Sequence, residues 1–342
     1  RRAGYAEVTA EPAVRIDVLH TRPVIDRSAV DTGGAEPEPR SELPPATELP
    51  AGPHPAVHLE AGIEVAVIIA DGVPVHDMVR TKRYLYGIDV GSESIPELAD
   101  VDGDGDLDLL VGSKIDPADG RTGRLHFWEN VGAADRPSYR ERAPLPISGH
   151  YHYAPEAGDL DGDGDLDLLV GTWNDDVLHL RNTGTAAAPR WELAEGPIVE
   201  LTRGSNSTPA LGDLDGDGDL DLIVGESSGT LNFYRNAGSA TSPRFELVSD
   251  EWEGIDPGRR SHPSLVDLDG DGDLDLVVGS EDGALRVWRN QGTPREPRFV
   301  ADEGARLPGL PYAAPQFADL DGAGGLELVL GNLSGGVGYY RR

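Results

Sequence analysis

The chain has 342 residues, a formal net charge of −32 and no Cys. So acidic a chain lacks the basic face that nucleic-acid binding needs, and without Cys it has no disulfide framework. The longest notable apolar run, Val65 to Ala70, falls far short of the ~20 residues of a membrane span.

Residues 1–37 read as an N-terminal segment, a partial blade or an extension, whose clearest strand-like run is Ala13 to Leu19. No signal peptide is visible at Arg1-Arg2-Ala3-Gly4. Residues 31–53 are rich in Pro and Glu, the composition of a linker. Within them Glu38-Pro39-Arg40 parallels Glu296-Pro297-Arg298 much later in the chain. His54 to Glu60 likewise parallels His262 to Leu268. Strand-like runs follow at Ile63 to Ile69, Val73 to Met78 and Lys82 to Val90.

From residue 94 onward one pattern repeats. Asp100 to Asp108 reads DVDGDGDLD, and Asp159, Asp213 and Asp267 each open DLDGDGDLD. At Asp319 it returns as DLDGAGGLE. The first Asp recurs after 59, 54, 54 and 52 residues, a period that signals stacked or radial repeats.

Each loop places carboxylates at positions 1, 3, 5 and 9. Alternate side chains of a tight turn converge, and four carboxylates make the hard oxygen cage that calcium prefers. The cages are Asp100, Asp102, Asp104, Asp108; Asp159, Asp161, Asp163, Asp167; Asp213, Asp215, Asp217, Asp221; and Asp267, Asp269, Asp271, Asp275. Asp106, Asp165, Asp219 and Asp273 at position 7 would add backbone carbonyls. An EF-hand is excluded, because position 12 holds Val111, Val170, Val224 and Val278 where that loop needs Glu. Magnesium seldom uses an all-protein cage. In the fifth copy Ala323 removes the position-5 ligand, Gly325 replaces position 7 and Glu327 replaces position 9. The expectation is about four Ca²⁺, with the fifth loop weak or vacant. The four intact loops hold 20 Asp, so the rest of the chain carries about −12.

The repeat continues past the loop. Asn130, Asn182, Asn236 and Asn290 each open an Asn-x-Gly turn, with a Pro seven residues on and an aromatic two beyond that. The first copy carries extra residues in Ser113 to Gly123. The third copy shows four strand-like runs, Pro209 to Leu214, Leu220 to Gly225, Thr230 to Arg235 and Arg244 to Val248. Four short strands every ~50 residues with Gly and Pro turns predict a propeller blade. We name its strands A to D.

The motifs DLDGDGDLDLLVG and Gly-x-Leu-x-Phe/Trp-x-x-Asn-x-Gly resemble the FG-GAP or VCBS-type calcium-binding repeat family, which includes the integrin α-subunit propeller and many secreted bacterial proteins. The resemblance covers about residues 94–342. The literal Phe-Gly and Gly-Ala-Pro tags of the integrin version are absent, so integrin ligands are not implied.

The expected fold is all-β, a β-propeller of four-stranded antiparallel blades. Six blades are counted and seven are allowed. Residues 38–342 form the ring: five calcium-type blades in 94–342, a degenerate blade in 54–92, and residues 38–50 closing the ring as the last D strand. Closure would remove exposed sheet edges.

In such a meander the A–B and C–D turns share one face. The B–C turns and D-to-A connections lie opposite, and there the repeats diverge in chemistry. Loops on a rigid scaffold carry function. Tyr151, Tyr153, Trp173, Arg203, Arg260 and Tyr312 are the candidate ligand contacts. His150 and His152 read as part of a packed loop. The expected function is non-enzymatic binding of a glycan or protein ligand through this face, as in adhesion. The alternative is a polysaccharide-active lyase or hydrolase, or the binding domain of one. No nucleophile–base pair stands out. Cytosolic calcium is too low for sites of extracellular-module affinity, which places the chain outside the cell or at its surface, or in the periplasm. It is expected to be monomeric, with no nucleic-acid partner and no membrane insertion.

Overall fold

The computed structural model describes residues 88–118, 120–202 and 204–340. Each repeat folds into one antiparallel sheet whose strands run in sequence order. The first blade is β1 (Ile95–Ala99), β2 (Asp108–Gly112), β3 (Leu125–Asn130) and β4 (Tyr139–Glu141). The second is β5 (Ala154–Gly158), β6 (Asp167–Gly171), β7 (Asp176–Asn182) and β8 (Trp191–Glu200). The third is β9 (Thr208–Gly212), β10 (Asp221–Gly225), β11 (Leu231–Asn236) and β12 (Phe245–Ser249). The fourth is β13 (His262–Val266), β14 (Asp275–Gly279), β15 (Leu285–Asn290) and β16 (Phe299–Ala301). The fifth has three described strands, β17 (Ala314–Ala318), β18 (Glu327–Gly331) and β19 (Val337–Tyr340). The sequence-predicted strands of the third repeat match these bounds to within two residues. Among the described residues no helix is long and apolar enough to cross a membrane.

Burial explains the sequence of the second strand in every blade. Strand B lies between two blades and is buried at all five positions, so both faces must be apolar. Leu110 faces a cluster with Leu168 and Leu180 of the second blade, while Leu109 and Val111 face Val329 and Tyr339 of the fifth. Five such clusters fill five interfaces. Outer strands such as β12 are mostly exposed.

The described ring has five blades, not the six or seven read from the sequence. Strand A of the fifth blade packs directly beside strand A of the first. Ser94 N–H donates to Asn332 O at 2.9 Å and Glu93 N–H to Leu333 O at 3.0 Å. The other four junctions repeat this clasp, for example Ser207 N–H to Thr172 O at 2.9 Å and Asn206 N–H to Trp173 O at 3.0 Å. The fifth junction is therefore closed like the rest and leaves no opening for a further blade. The N-terminal segment 1–37, the predicted closing strand 38–50 and most of the degenerate blade 54–92 lie outside the described residues. The extra residues of the first repeat form its B–C loop, tied by Arg124 to Asp116.

The last residue of each strand B is Gly, and the junction requires it. A Cβ on Gly112, Gly171, Gly225, Gly279 or Gly331 would stand 1.8 to 2.3 Å from a backbone carbonyl of the adjoining blade. Backbone cannot step aside as a flexible side chain can. We expect Gly171→Ala to destabilise the ring by at least ~3 kcal/mol, the upper part of the overpacking range. Gly325→Ala, whose Cβ meets nothing within 4 Å, is the control. Thermal unfolding of both variants checks this; equal melting temperatures would show that the junction yields.

Candidate functional site

The five A–B loops share one geometry. Glycines at positions 4 and 6 have positive φ in every copy, from 64° to 95°, a region that Cβ-bearing residues avoid. The position-1 Asp accepts loop N–H groups; Gly162 and Gly164 donate to Asp159 at 2.7 and 3.1 Å. Ligand oxygens of positions 1, 3 and 5 come within 4.8 Å of one another in all four intact loops. In the fifth loop Asp319, Asp321 and Glu327 do the same. The position-9 carboxylates lie buried beneath the loops. Asp221 accepts Leu214 N–H at 3.2 Å and Asn236 N–H at 2.8 Å, which ties the loop to strand C.

These loops fit a divalent cation. Asp102 Oδ1, Asp106 Oδ1 and Asp215 Oδ1 are buried without a hydrogen-bond partner. Burial and then the neighbouring carboxylates push Asp106 up to about 6, and burial pushes Asp108 to about 7. A cation would relieve both penalties. The strand C residue before the conserved Asn differs between blades. Arg181 lies 2.9 Å from Asp161, Arg235 lies 3.3 Å from Asp215, and Arg289 lies 2.7 Å from Asp275. Glu129, paired with Arg142, takes that place in the first blade, so no strand C arginine answers the first loop, and Glu129 adds to the burial and carboxylates that push Asp102 up.

The third residue of strand A lines the axis in the first, second and fifth blades. Glu97 accepts Gln316 Nε2–H at 2.5 Å and Ala157 N–H at 3.3 Å. Glu156 accepts Leu211 N–H at 2.8 Å. Burial, and for Glu97 the charge of Glu156, push both carboxyls up, Glu156 to about 8.

The opposite face is built from the D-to-A connections. Two residues before each strand A stands a side-chain-bearing residue with positive φ: Glu93 (41°), His152 (59°), Asn206 (66°), Arg260 (56°) and Tyr312 (59°). Each donates its N–H to a B–C turn carbonyl of the preceding blade; Arg260 reaches Ser227, and Tyr312 reaches Glu281. The five stand at equivalent places in the five junctions, and the side chains of Glu93, His152, Arg260 and Tyr312 meet one another at what we call the mouth. Glu93 takes Lys114 Nζ at 2.7 Å, and Arg260 Nη1 lies 3.3 Å from each of its oxygens. Burial pushes Glu93 up, but hydrogen bonding from His152 and Lys114 and the Lys114 charge outweigh it and hold the carboxyl at about 2. Arg260 lies over Trp173 at 5.4 Å and over Tyr312 at 4.6 Å, and Lys114 lies over the same Trp173 ring at 4.6 Å. His152 sits edge-on to Trp173 and 6.1 Å from the His262 ring.

Of the six residues read from sequence as ligand contacts, Trp173, Arg260 and Tyr312 meet at this mouth. Tyr151 stands exposed beside it, its carbonyl accepting Trp173 N–H at 2.8 Å. Tyr153 is fully buried in the core between the first two blades, where His150 N–H donates to its hydroxyl. Arg203 lies outside the described residues. Glu93, Lys114, His152, Asn206 and His262 are not among the six candidates read from sequence, which set His152 in a packed loop, and its burial agrees. The signal was an offset: the position two residues before each strand A holds five different side chains, so no shared letter marks it.

With the geometry in hand, comparison with known proteins is informative. A profile of the FG-GAP-like repeat matches residues 100–170, 159–224, 213–278 and 267–330, each match opening on the first Asp of a loop. Integrin alpha-4 of Xenopus laevis is 28% identical over 151 residues, covering 39% of this chain and 14% of that protein. Among solved structures, an Agrocybe aegerita lectin, described as specifically recognising non-reducing terminal N-acetylglucosamine, aligns with TM-score 0.37 at 16% identity, over 70% of this chain and 61% of its own. BBS1N in complex with ARL6DN aligns with TM-score 0.34 at 12% identity, over 74% of this chain and 93% of its own.

The axial acid pair makes a pH-dependent contribution with a definite sign. A carboxyl raised to about 8 stays protonated in the fold where the unfolded chain ionises. The folded ring then binds more protons, so stability from this group is complete below pH ~4.5 and is lost as pH rises through 8. Glu156→Gln removes the loss and keeps an acceptor for Leu211. Its melting temperature should gain on the parent progressively from pH 5 to pH 8.5, in calcium-saturated buffer. A constant gap across that range would show that Glu156 does not titrate there.

Proposed function

The chain belongs to the FG-GAP-like repeat family, and from that premise and the mouth geometry we propose a non-enzymatic, calcium-stabilised β-propeller that binds a glycan or protein ligand on the face opposite its cation loops. The observation that carries this reading is the ring of five side-chain-bearing residues held at positive φ. Such conformations cost of order 1–3 kcal/mol each and cluster at functional sites. Glycine would relieve the strain at all five places, yet none holds it. Trp173, Arg260 and Tyr312 supply aromatic and cationic surface there.

Calcium is the cation that the donor chemistry favours, held by Asp at positions 1, 3 and 5, with the position-9 carboxylate and the position-7 carbonyl as further ligands. It would sit in the four intact loops and weakly, if at all, at the fifth. Its role is structural. In three of the four intact loops the position-4 Gly packs on the C–D turn of the next blade: Gly103 on Ala186, Gly162 on Thr241 and Gly216 on Arg295, whereas Gly270 meets nothing within 4 Å. A cation that stiffens one loop therefore steadies two blades. The first loop, with Glu129 in place of Arg, should bind most tightly. Sites of this kind fill where calcium is plentiful, which favours a secreted or cell-surface setting.

Calorimetry should find about four Ca²⁺ per chain. Each site contributes about 4 kcal/mol at 1,000 times its Kd if sites act independently, so chelation should lower the melting temperature sharply. Asp161→Ala should reproduce part of that loss. Identical melting curves with and without chelator would refute the structural role. For the ligand face, Trp173→Ala and Tyr312→Ala should abolish capture of the ligand on a glycan or protein array while leaving calcium content and melting unchanged. Loss of capture on changing cation-face turns such as Asn182 to Gly184, with the mouth variants silent, would move the site to the other face.

A further inference from the structure

The polar groups at the mouth fall into two sets. The charged set is paired, with three cations to two carboxylates, and Glu281 Oε2 has its partners only at ion-pair distance. Glu93 answers Lys114 and Arg260, while Arg260 Nε lies 3.9 Å and Arg259 Nη1 3.7 Å from Glu281. The neutral set is not matched. Asn206 is 1% exposed, and among the described residues neither its Oδ1 nor its Nδ2 has a partner. His152 Nε2 and His262 Nδ1 are also buried and without partners. His152 Nδ1 has Glu93 Oε2 as its neighbour at 3.5 Å, a long and weak contact. Burial holds both imidazoles neutral, driving His262 down to about 3. Buried polar atoms left unpaired cost free energy, and native proteins pair nearly all of them. Here the rings of His152 and His262 stand 6.1 Å apart, and Asn206 holds the place equivalent to His152 in the next junction.

We propose that the mouth receives one uncharged, hydroxyl-rich saccharide end, hydrogen-bonded by Asn206, His152 and His262, and discriminates against acidic sugars. This rests on the ligand-face reading above and narrows it. A hydroxyl donates and accepts at once. A neutral imidazole offers one of each, and a carboxamide offers two donors and an acceptor. The unpaired groups thus suit hydroxyls. An anionic sugar would need a free cation among the buried groups, but Lys114 and Arg260 already face Glu93, and the third cation, Arg259, is exposed to solvent beside Glu281. An acid brought beside Glu93 would meet a like charge in a poorly solvated site. Because the mouth lies on the axis, one ring holds one ligand.

The probe is a printed array of neutral saccharides together with saccharides bearing uronate, sialate or sulfate. Saccharides that bind are then titrated by calorimetry in calcium buffer. We expect neutral saccharides to bind, at one per chain. Affinity should change little between about 50 and 500 mM NaCl, since no net charge is matched. The decisive variant is Asn206→Gly, which suits the local φ of 66° and removes only the carboxamide. It should weaken binding at least ~10-fold, the cost of a lost buried hydrogen bond, while the melting temperature holds or rises. Binding confined to acidic saccharides, falling steeply with salt but abolished by Trp173→Ala, would overturn the uncharged ligand and leave the face assignment standing. Saccharide binding indifferent to both Asn206→Gly and Trp173→Ala would overturn both. An array with no bound saccharide overturns the saccharide inference and leaves the face to a protein ligand.

Discussion

The ring depends on one close approach. At each junction the carbonyl of the residue before strand A occupies the space where a Cβ of the preceding strand B would stand. Only Gly permits it, and every strand B ends in Gly. The approach brings the D-to-A connection within hydrogen-bond reach of the neighbouring B–C turn, and the resulting pair of backbone bonds forces the next residue back into positive φ. The turn that closes the blade interface is therefore the turn that aims a side chain at the axis. Architecture and mouth follow from one steric fact repeated five times.

Charge is arranged differently on the two faces. On the loop face, carboxylates crowd with little to answer them except strand C arginines, and the buried oxygens of Asp102, Asp106 and Asp215 lack partners. A divalent cation is the economical answer to such crowding. Along the axis Glu97 and Glu156 solve the same problem by retaining protons and by sharing Gln316. At the mouth opposite charges face each other, and the buried atoms left without hydrogen bonds there are mainly neutral ones. Of three acidic environments in one molecule, the axial one keeps protons, the one at the mouth is met by ion pairs, and the loops are the one a cation would answer.

Much of this was legible in the residues. The Asp-Gly loops marked the blades because metal-ligand spacing and positive-φ glycines leave little freedom of sequence. Strand B was equally plain, because burial on both faces demands an apolar run. Blade number was not legible. The echoes in residues 38–92 suggested further blades, whereas ring closure is decided by how Ser94 and Glu93 meet Asn332 and Leu333, a contact between residues about 240 apart that no local pattern reports. The mouth was half legible. Trp173, Arg260 and Tyr312 stood out by type, while Asn206 and His152 looked like ordinary loop residues. Tyr153 misled because it follows His152 directly, and one step along the chain turns a side chain from the mouth into the core.

Divergence on one face and constancy on the other have different physical origins. A cation loop tolerates little change, since each ligand position must present oxygen and two positions must be Gly. The ring positions before strand A need only a residue that accepts positive φ, and glycine would do so without strain. Glu, His, Asn, Arg and Tyr occupy them instead. Of these only Asn is readily accommodated there, so the other four residues are carried at a cost to folding. Side chains retained against that cost, converging on one opening and leaving neutral polar atoms unpaired, are better explained by what enters the opening than by what holds the ring together.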